Sequence, residues 1–245
     1  MTQNEFQSYV KTELSRLALI FKNGEDYEDF SEIIQPLSLD LISNGKQIEF
    51  RCFGEFEILI GGKPLQDSFW KSKLGQKMLA YLVNALVAGK SSVAKKDLVS
   101  EMWYDLEDPK KIDASFRAIL SKLRKQIAQI TPDTQWIISQ RGNLGLNPAL
   151  SIKIDTIEFS KQIAKGKAAQ LSDDMEHALQ CYESAIAIYK GAYLRNFAED
   201  WNEGMRMRFA DEFVDAIQFV IEYFRKANDD TMRHHFEYLL KKRDC

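Results

Sequence analysis

Between residues 108 and 130 the sequence reads DPKKIDASFRAILSKLRKQIAQI, and its cations are spaced for chemistry with a polyanion. At about 100° per residue, Lys111, Ala114, Ala118, Ser121, Lys122 and Lys125 fall on one face of a helix, with Lys110 and Arg117 on its flank. The centre of that face is small and its edges are cationic, so phosphates could come close and be neutralised. No acid follows Asp113, whereas a solvated helix face ordinarily mixes both signs. The plain alternative is a basic amphipathic helix packed on a core, with no ligand. This stretch alone leaves both open.

The helix itself is legible from its other side. Phe116, Ile119, Leu120, Leu123 and Ile127 recur at helical spacing, and Asp108-Pro109 supplies a cap and a first-turn proline. Ahead of it, IEFRCF and EFEILI flank Gly54 as short β-type runs, and Gly61-Gly62 marks a turn. Residues 73–88 place Leu74, Met78, Tyr81, Leu82 and Ala85 on one helical face ending at Gly89. Residues 92–103 predict a second helix capped by Ser92, with Leu98, Val99, Met102 and Trp103 inward. After the basic helix, Trp136 and Ile138, then Leu144 and Leu146, read as two strands with Arg141-Gly142-Asn143 at a hairpin tip. Strands, helix, helix, basic helix and hairpin make a helix-turn-helix with a wing. In that arrangement the second helix of the turn enters the major groove and the wing touches the adjacent minor groove or backbone.

The remaining chain predicts helices. Residues 1–47 look helical and acidic, with Phe6, Val10, Leu14, Leu17 and Phe21 in phase, and are too short to fold alone. Residues 155–245 read as helical throughout. Ile157, Phe159, Ile163 and Ala164 lead into Lys165-Gly166-Lys167, a helix over 175–190 ends at Gly191, and further helices cover 202–227 and 229–243. Alanines alternating with aromatics point to helical-repeat packing, with a plain bundle as the alternative. Arg124 lies toward the apolar side of the basic helix, where pairing with an acid or an edge position is expected.

Charge and composition exclude several classes. The net charge of −3 hides a split: residues 1–47 carry 4 bases and 8 acids, 48–150 carry 15 and 11, and 151–245 carry 14 and 17. A basic block inside an acidic chain implies a polyanion partner for that block alone. No apolar run is long enough to span a membrane, and the N-terminus is not a signal peptide. Cys52, Cys181 and Cys245 are widely spaced, which fits a reducing cytoplasm and no disulfide framework. Gly89-Lys90-Ser91 mimics the end of a phosphate loop, but Asn84 stands where a glycine is required. His177 is isolated, and His234-His235 point about 100° apart, unsuited to one metal. No catalytic residue, metal site or cofactor is expected.

Several pieces resemble a known family: RCFGEFEILIGGKPL, KKDLVSEMW, AILSKLRKQI, IISQRGNLGLN, IDTIEFSKQI and YKGAYLRNFAEDW. Residues 48–150 look like the winged-helix output domain of OmpR-type regulators, and 151–245 resemble the bacterial transcriptional activator domain, a tetratricopeptide-like module. Together they resemble SARP-type bacterial transcriptional regulators. Their order and spacing carry the likeness more than any single piece does. Asp113-Ala114 departs from the polar or basic pair usual at the start of the recognition helix, and Leu144 replaces a usual aromatic. The activator module stops at Cys245, short of the family's usual extent, as in a shortened member or a piece of a longer protein.

The resemblance implies a mainly α fold with a small α+β part: a winged helix-turn-helix domain followed by an all-α tetratricopeptide-like module. It implies insertion of the helix over 109–127 into the major groove of double-stranded DNA, through Lys111, Arg117, Ser121, Lys122 and Lys125. Arg117 would read guanine, whose O6 and N7 match its fork, and Lys122 and Lys125 would meet phosphates. Arg141 would enter the minor groove, and Lys71, Lys73 and Lys77 would add backbone contacts. The acidic loop over 104–108 would face RNA polymerase. The helical module would make protein contacts, including a homodimer on direct repeats. The alternative is a protein-interaction adaptor whose winged helix no longer binds DNA.

Overall fold

The computed structural model describes residues 47–132, 134–197 and 199–242. The acidic N-terminal extension lies outside the described residues except for Gln47, and so does Cys245. Among the described residues seven α-helices accompany two small sheets, which gives the mainly α architecture expected.

The front sheet begins with β1 (Ile48–Arg51), β2 (Glu57–Ile60) and β3 (Lys63–Pro64). Period-two burial puts Ile48 and Phe50 inward and leaves Glu49 and Arg51 outward, ion-paired at 3.0 Å. The turn into β3 uses Gly61 and Gly62 at φ 57° and 77°. The fourth strand, β7 (Ile152–Ile154), comes from beyond the wing and pairs parallel with β1, Ile48 opposite Ile152. The sheet therefore crosses the 150/151 junction.

Helix α1 (Lys73–Val87) starts at Ser72, whose hydroxyl accepts from Gly75 N at 3.3 Å. It is not one-sided. Met78, Leu79, Ala80, Leu82, Val83 and Ala85 are all buried, while Leu74 and Tyr81 are half-buried, because elements cover it on more than one side. The predicted cap at Ser92 is also corrected. Val93 and Ala94 form β4, paired with Leu144 and Asn143, and α2 (Lys95–Met102) follows with no side-chain cap. Sheet hydrogen bonds thus take the residues that sequence assigned to the first helical turn.

Helix α3 (Pro109–Ile130) starts as predicted and runs three residues past 127. The Asp108 carboxylate accepts from Lys110 N at 2.9 Å and Lys111 N at 3.4 Å. The wing is β5 (Ile137–Gln140) and β6 (Asn143–Leu146), whose order in its sheet is β4-β6-β5. Arg141 and Gly142 form the two-residue turn at φ 50° and 82°, the left-handed pair that matches strand twist. Trp136 precedes the strand, and both it and Ile137 are buried, so the alternation predicted from Trp136 and Ile138 does not hold. The departure from a usual aromatic at Leu144 is a packing one, since Leu144 is buried in this core.

The second half consists of α4 (Asp155–Leu171), α5 (Met175–Ile188), α6 (Asp200–Lys226) and α7 (Asp230–Lys242), each packed on the next. Gly166 lies within α4 at a close crossing with α5, where a Cβ would stand 2.7 Å from the Tyr182 ring. The region is not helical throughout. Helix α5 ends at Ile188, and the following loop lays Tyr193 in a bridge against Phe53. Leu194 N donates to Cys52 O at 2.7 Å, and Arg195 N to Gly54 O at 2.8 Å. Burying Tyr193 and Leu194 completely is what diverts the chain from helix here. Phe53, Phe159 and Phe209 meet edge to face at 5.1–5.9 Å, and one hydrophobic core runs through both halves.

Candidate nucleic-acid interface

The outward face of α3 is bare. Lys111, Ala114, Arg117, Ala118, Ser121, Lys122 and Lys125 are all exposed, while Phe116, Leu120, Leu123 and Ile127 hold the opposite side in the core. From Lys111 to Lys125 the cations span about 21 Å along the axis. The structure therefore brings five of the six sequence candidates onto one helix face. Arg141 is exposed on a separate element, at the wing tip.

The five are not equally available. The side chains of Ser121 and Lys125, like that of Arg141, have no hydrogen bond or ion pair among the described residues. Lys111, 79% exposed, lies 3.9 Å from Asp108. Lys122 Nζ donates to Lys71 O at 3.2 Å. Arg117, 76% exposed, is clasped by Asp113 at 2.6 Å, and the same carboxylate accepts from Lys95 Nζ at 2.5 Å. That Lys95 hydrogen bond, followed by the nearby Arg117 charge, holds the Asp113 carboxyl below its ordinary range. Asp113 is thus the anionic centre of a cationic surface.

One expected role changes, and a second takes a definite form. Lys77 is not a surface cation for a phosphate, because it pairs with Glu199 at 2.7 Å and its side chain is only 15% exposed. Lys71 and Lys73 remain exposed. Arg124 pairs with no acid among the described residues and sits half-buried at the edge of the apolar side. Its guanidinium donates to Ile137 O, at 3.2 Å from Nε and 2.9 Å from Nη2, and to Ser139 Oγ at 2.8 Å. It therefore ties α3 to the wing strand, with burial lowering its pKa.

Other positioning residues carried no sequence signal. Trp103 Nε1 donates to Ser115 Oγ at 3.0 Å, and Lys95 lies 4.7 Å over the Phe116 ring, so α2 is pinned to α3. Gln126 Nε2 donates to Phe69 O at 2.5 Å and anchors the far end of α3. These contacts join residues 12 to 57 positions apart, which no local pattern reveals. Beside the start of α3, Tyr104 and Leu106 are 81% and 43% exposed in an acidic loop.

Among the described residues no group of three or more His, Cys, Asp or Glu is placed to hold a metal ion, and no helix is long and apolar enough to cross a membrane. No curated protein matches the sequence. Residues 154–236 match the family model of the bacterial transcriptional activator domain. Among solved structures, the chain is similar to Mycobacterium tuberculosis EmbR in complex with a low-affinity phosphopeptide, with a TM-score of 0.60 and 18% identity. The match covers 75% of this chain and 47% of EmbR, so the chain spans less than half the length of that relative. At this identity the likeness is one of fold. Residues 154–236 are thus similar to the bacterial transcriptional activator domain, and the likeness to EmbR shows a shared fold over three quarters of the chain.

Proposed function

We propose that this chain is a DNA-binding transcriptional regulator in which residues 48–150 bind duplex DNA and 151–245 make protein contacts. The reading rests above all on the outer face of α3: an exposed, small-centred surface edged by Lys111, Lys122 and Lys125 on a winged-helix scaffold. Arg117 is assigned to a guanine edge, Lys122 and Lys125 to phosphates, Ser121 to close approach, and Arg141 to the adjacent minor groove. The exposed loop carrying Asp105, Glu107 and Asp108 is assigned to a basic surface of RNA polymerase. Copies bound side by side on direct repeats would use the helical half for homodimer contacts. A cytoplasmic location follows from such a role.

Salt titration of duplex binding tests the reading. Binding should weaken steeply with salt, and replacing Lys122 and Lys125 together with Ala should shallow the log–log slope by about 2 while weakening all sequences alike. Replacing Arg117 with Ala should also blur sequence preference. Equal binding by all three proteins would refute the assignment. One observation favours a second reading, an adaptor without DNA binding: Asp113 occupies Arg117 and places a carboxylate on the contact face. A salt-insensitive chain that retains protein partners would decide for the adaptor.

A further inference from the structure

Six large hydrophobic side chains stand exposed among the described residues, and four of them fall into two patches. Tyr104 and Leu106 lie in the loop between α2 and α3. Leu171 and Met175, 91% and 39% exposed, lie on either side of the turn between α4 and α5. A single exposed leucine needs no explanation. These patches differ from scattered surface residues in their surroundings, because the charges around the two are opposite.

The outer face of α4 repeats the character of α3. Lys161, Ala164, Lys165, Ala168 and Leu171 recur at helical spacing and are all exposed, with Lys167 at the edge. Phe159, Ile163, Gly166 and Ala169 hold the opposite side in the core. None of the three lysines has an ion pair among the described residues, and no acid occurs between Glu158 and Asp173. Glu158, at the start of the face, accepts from Gln162 Nε2 at 3.1 Å, and beyond its end Asp174 accepts from His177 N at 3.1 Å. The loop is the reverse. Asp108 is committed to capping α3 and to Lys111, but Asp105 and Glu107 are exposed, with no ion pair among the described residues. The nearest cations in sequence, Lys110 and Lys111, belong to the first turn of α3.

We propose that the lysine face of α4 docks against the acidic 104–107 loop of a second copy of this chain. Tyr104 and Leu106 then cover Leu171 and the two alanines, with Asp105 and Glu107 toward Lys161 and Lys165. A patch that meets a different patch makes a head-to-tail contact, which repeats in one direction and so suits copies on direct repeats. The inference rests on the DNA-binding reading above and names the surfaces such a row would use. One loop at the end of the row stays open, so its assignment to RNA polymerase holds for the terminal copy. The patch is too small to reach the roughly 1,200 Å² of a stable interface, so the contact forms when duplex DNA holds copies side by side at high effective concentration.

Binding of the full chain to two mixed-sequence duplexes, one long enough for several copies and one for a single copy, tests the proposal. Affinity per site should be about fivefold higher on the long duplex, the scale of two exposed ion pairs. Each protein is compared with itself on the two duplexes, which removes any direct effect of charge on DNA affinity. Asp105→Lys with Glu107→Lys should abolish the gain, and so should Lys161→Glu with Lys165→Glu. A chain carrying all four substitutions should regain it, and that recovery excludes a fold defect in either pair. A gain kept by both pairs, or not regained when the four are combined, would overturn the proposal. A gain lost with the lysine pair but kept with the loop pair would give the α4 face a different acidic occupant and overturn it too. A parent that binds both duplexes equally would overturn it and leave the DNA-binding reading standing, whereas a parent that binds neither would remove that reading and the inference with it.

Discussion

The outer face of α3 and the seam between the two halves use the same residue types to opposite ends. At the seam the Asp155, Tyr193 and Asn84 side chains each have internal partners, while the buried Thr156 Oγ1 and Trp201 Nε1 have no hydrogen-bond partner among the described residues. The Asp155 carboxylate accepts from Cys52 N, Phe53 N and Thr156 N at 2.7–3.0 Å. Tyr193 donates to Asn84 at 3.0 Å, and Asn84 Nδ2 to Trp201 O at 3.4 Å. On α3, Lys125 and Ser121 have no such partner, and Arg117 is held by a single exposed carboxylate. The difference lies in neighbouring carbonyls rather than in sequence character. Arg124 and Arg206 are as cationic as Arg117, yet backbone oxygens fix both, which makes them structural.

The largest effect expected from breaking this contrast is at Asp155. Replacing it with Ala leaves three buried or half-buried amides without an acceptor and should cost about 3 kcal/mol or more, read by urea unfolding. Burial pushes the Asp155 carboxyl above its ordinary range, outweighing the amides that lower it. A raised folded pKa contributes stability that is present below the unfolded value of 3.8 and is lost as pH rises through the folded value. The Asp155→Ala penalty should therefore be larger at about pH 4 than at about pH 7. A penalty that grows with pH would mean that the amides, not burial, set the titration.

A smaller cut at the same seam is Tyr193→Phe. It deletes one hydroxyl, leaves the buried Asn84 oxygen unpaired and should cost about 1–2 kcal/mol. If the seam is structural, duplex affinity at a temperature well below unfolding should not change. A loss of affinity without loss of stability would instead make the Asn84–Tyr193 bond a link between the helical half and the groove-facing helix.

Much of the fold was legible because its signals are local. The cap at Asp108, the apolar phase of α3 and the turn at Arg141-Gly142 each depend on residues within a few positions. The exposed candidates on α3 were legible for the same reason, since helical phase alone separates them from the core side. What sequence hid was set by distant pairing. Strand β4 forms because β6 lies beside it, and the loop after Ile188 exists because Phe53, more than a hundred positions away, receives Tyr193. Lys77 looked free, and Arg124 was expected to meet an acid or an edge, because their partners, Glu199 and Ile137 O, come from other elements.

The smallest effect, and the sharpest on the proposed interface, is at Asp113. Its carboxylate holds Lys95 at 2.5 Å and Arg117 at 2.6 Å, so it both steadies α2 against α3 and subtracts one charge from the contact face. Asp113→Asn keeps a hydrogen-bond acceptor of the same size but removes the charge. If α3 seats in the groove, the variant should bind duplex several-fold tighter at moderate salt, with a slope steeper by about one phosphate equivalent. If Asp113 instead presents Arg117 at the angle a guanine requires, general affinity should rise while discrimination between sites falls. The two outcomes separate on one pair of titrations, specific and random duplex. A third, no change in either titration, would place the carboxylate and its guanidinium outside the contact surface and leave Lys122 and Lys125 to carry it.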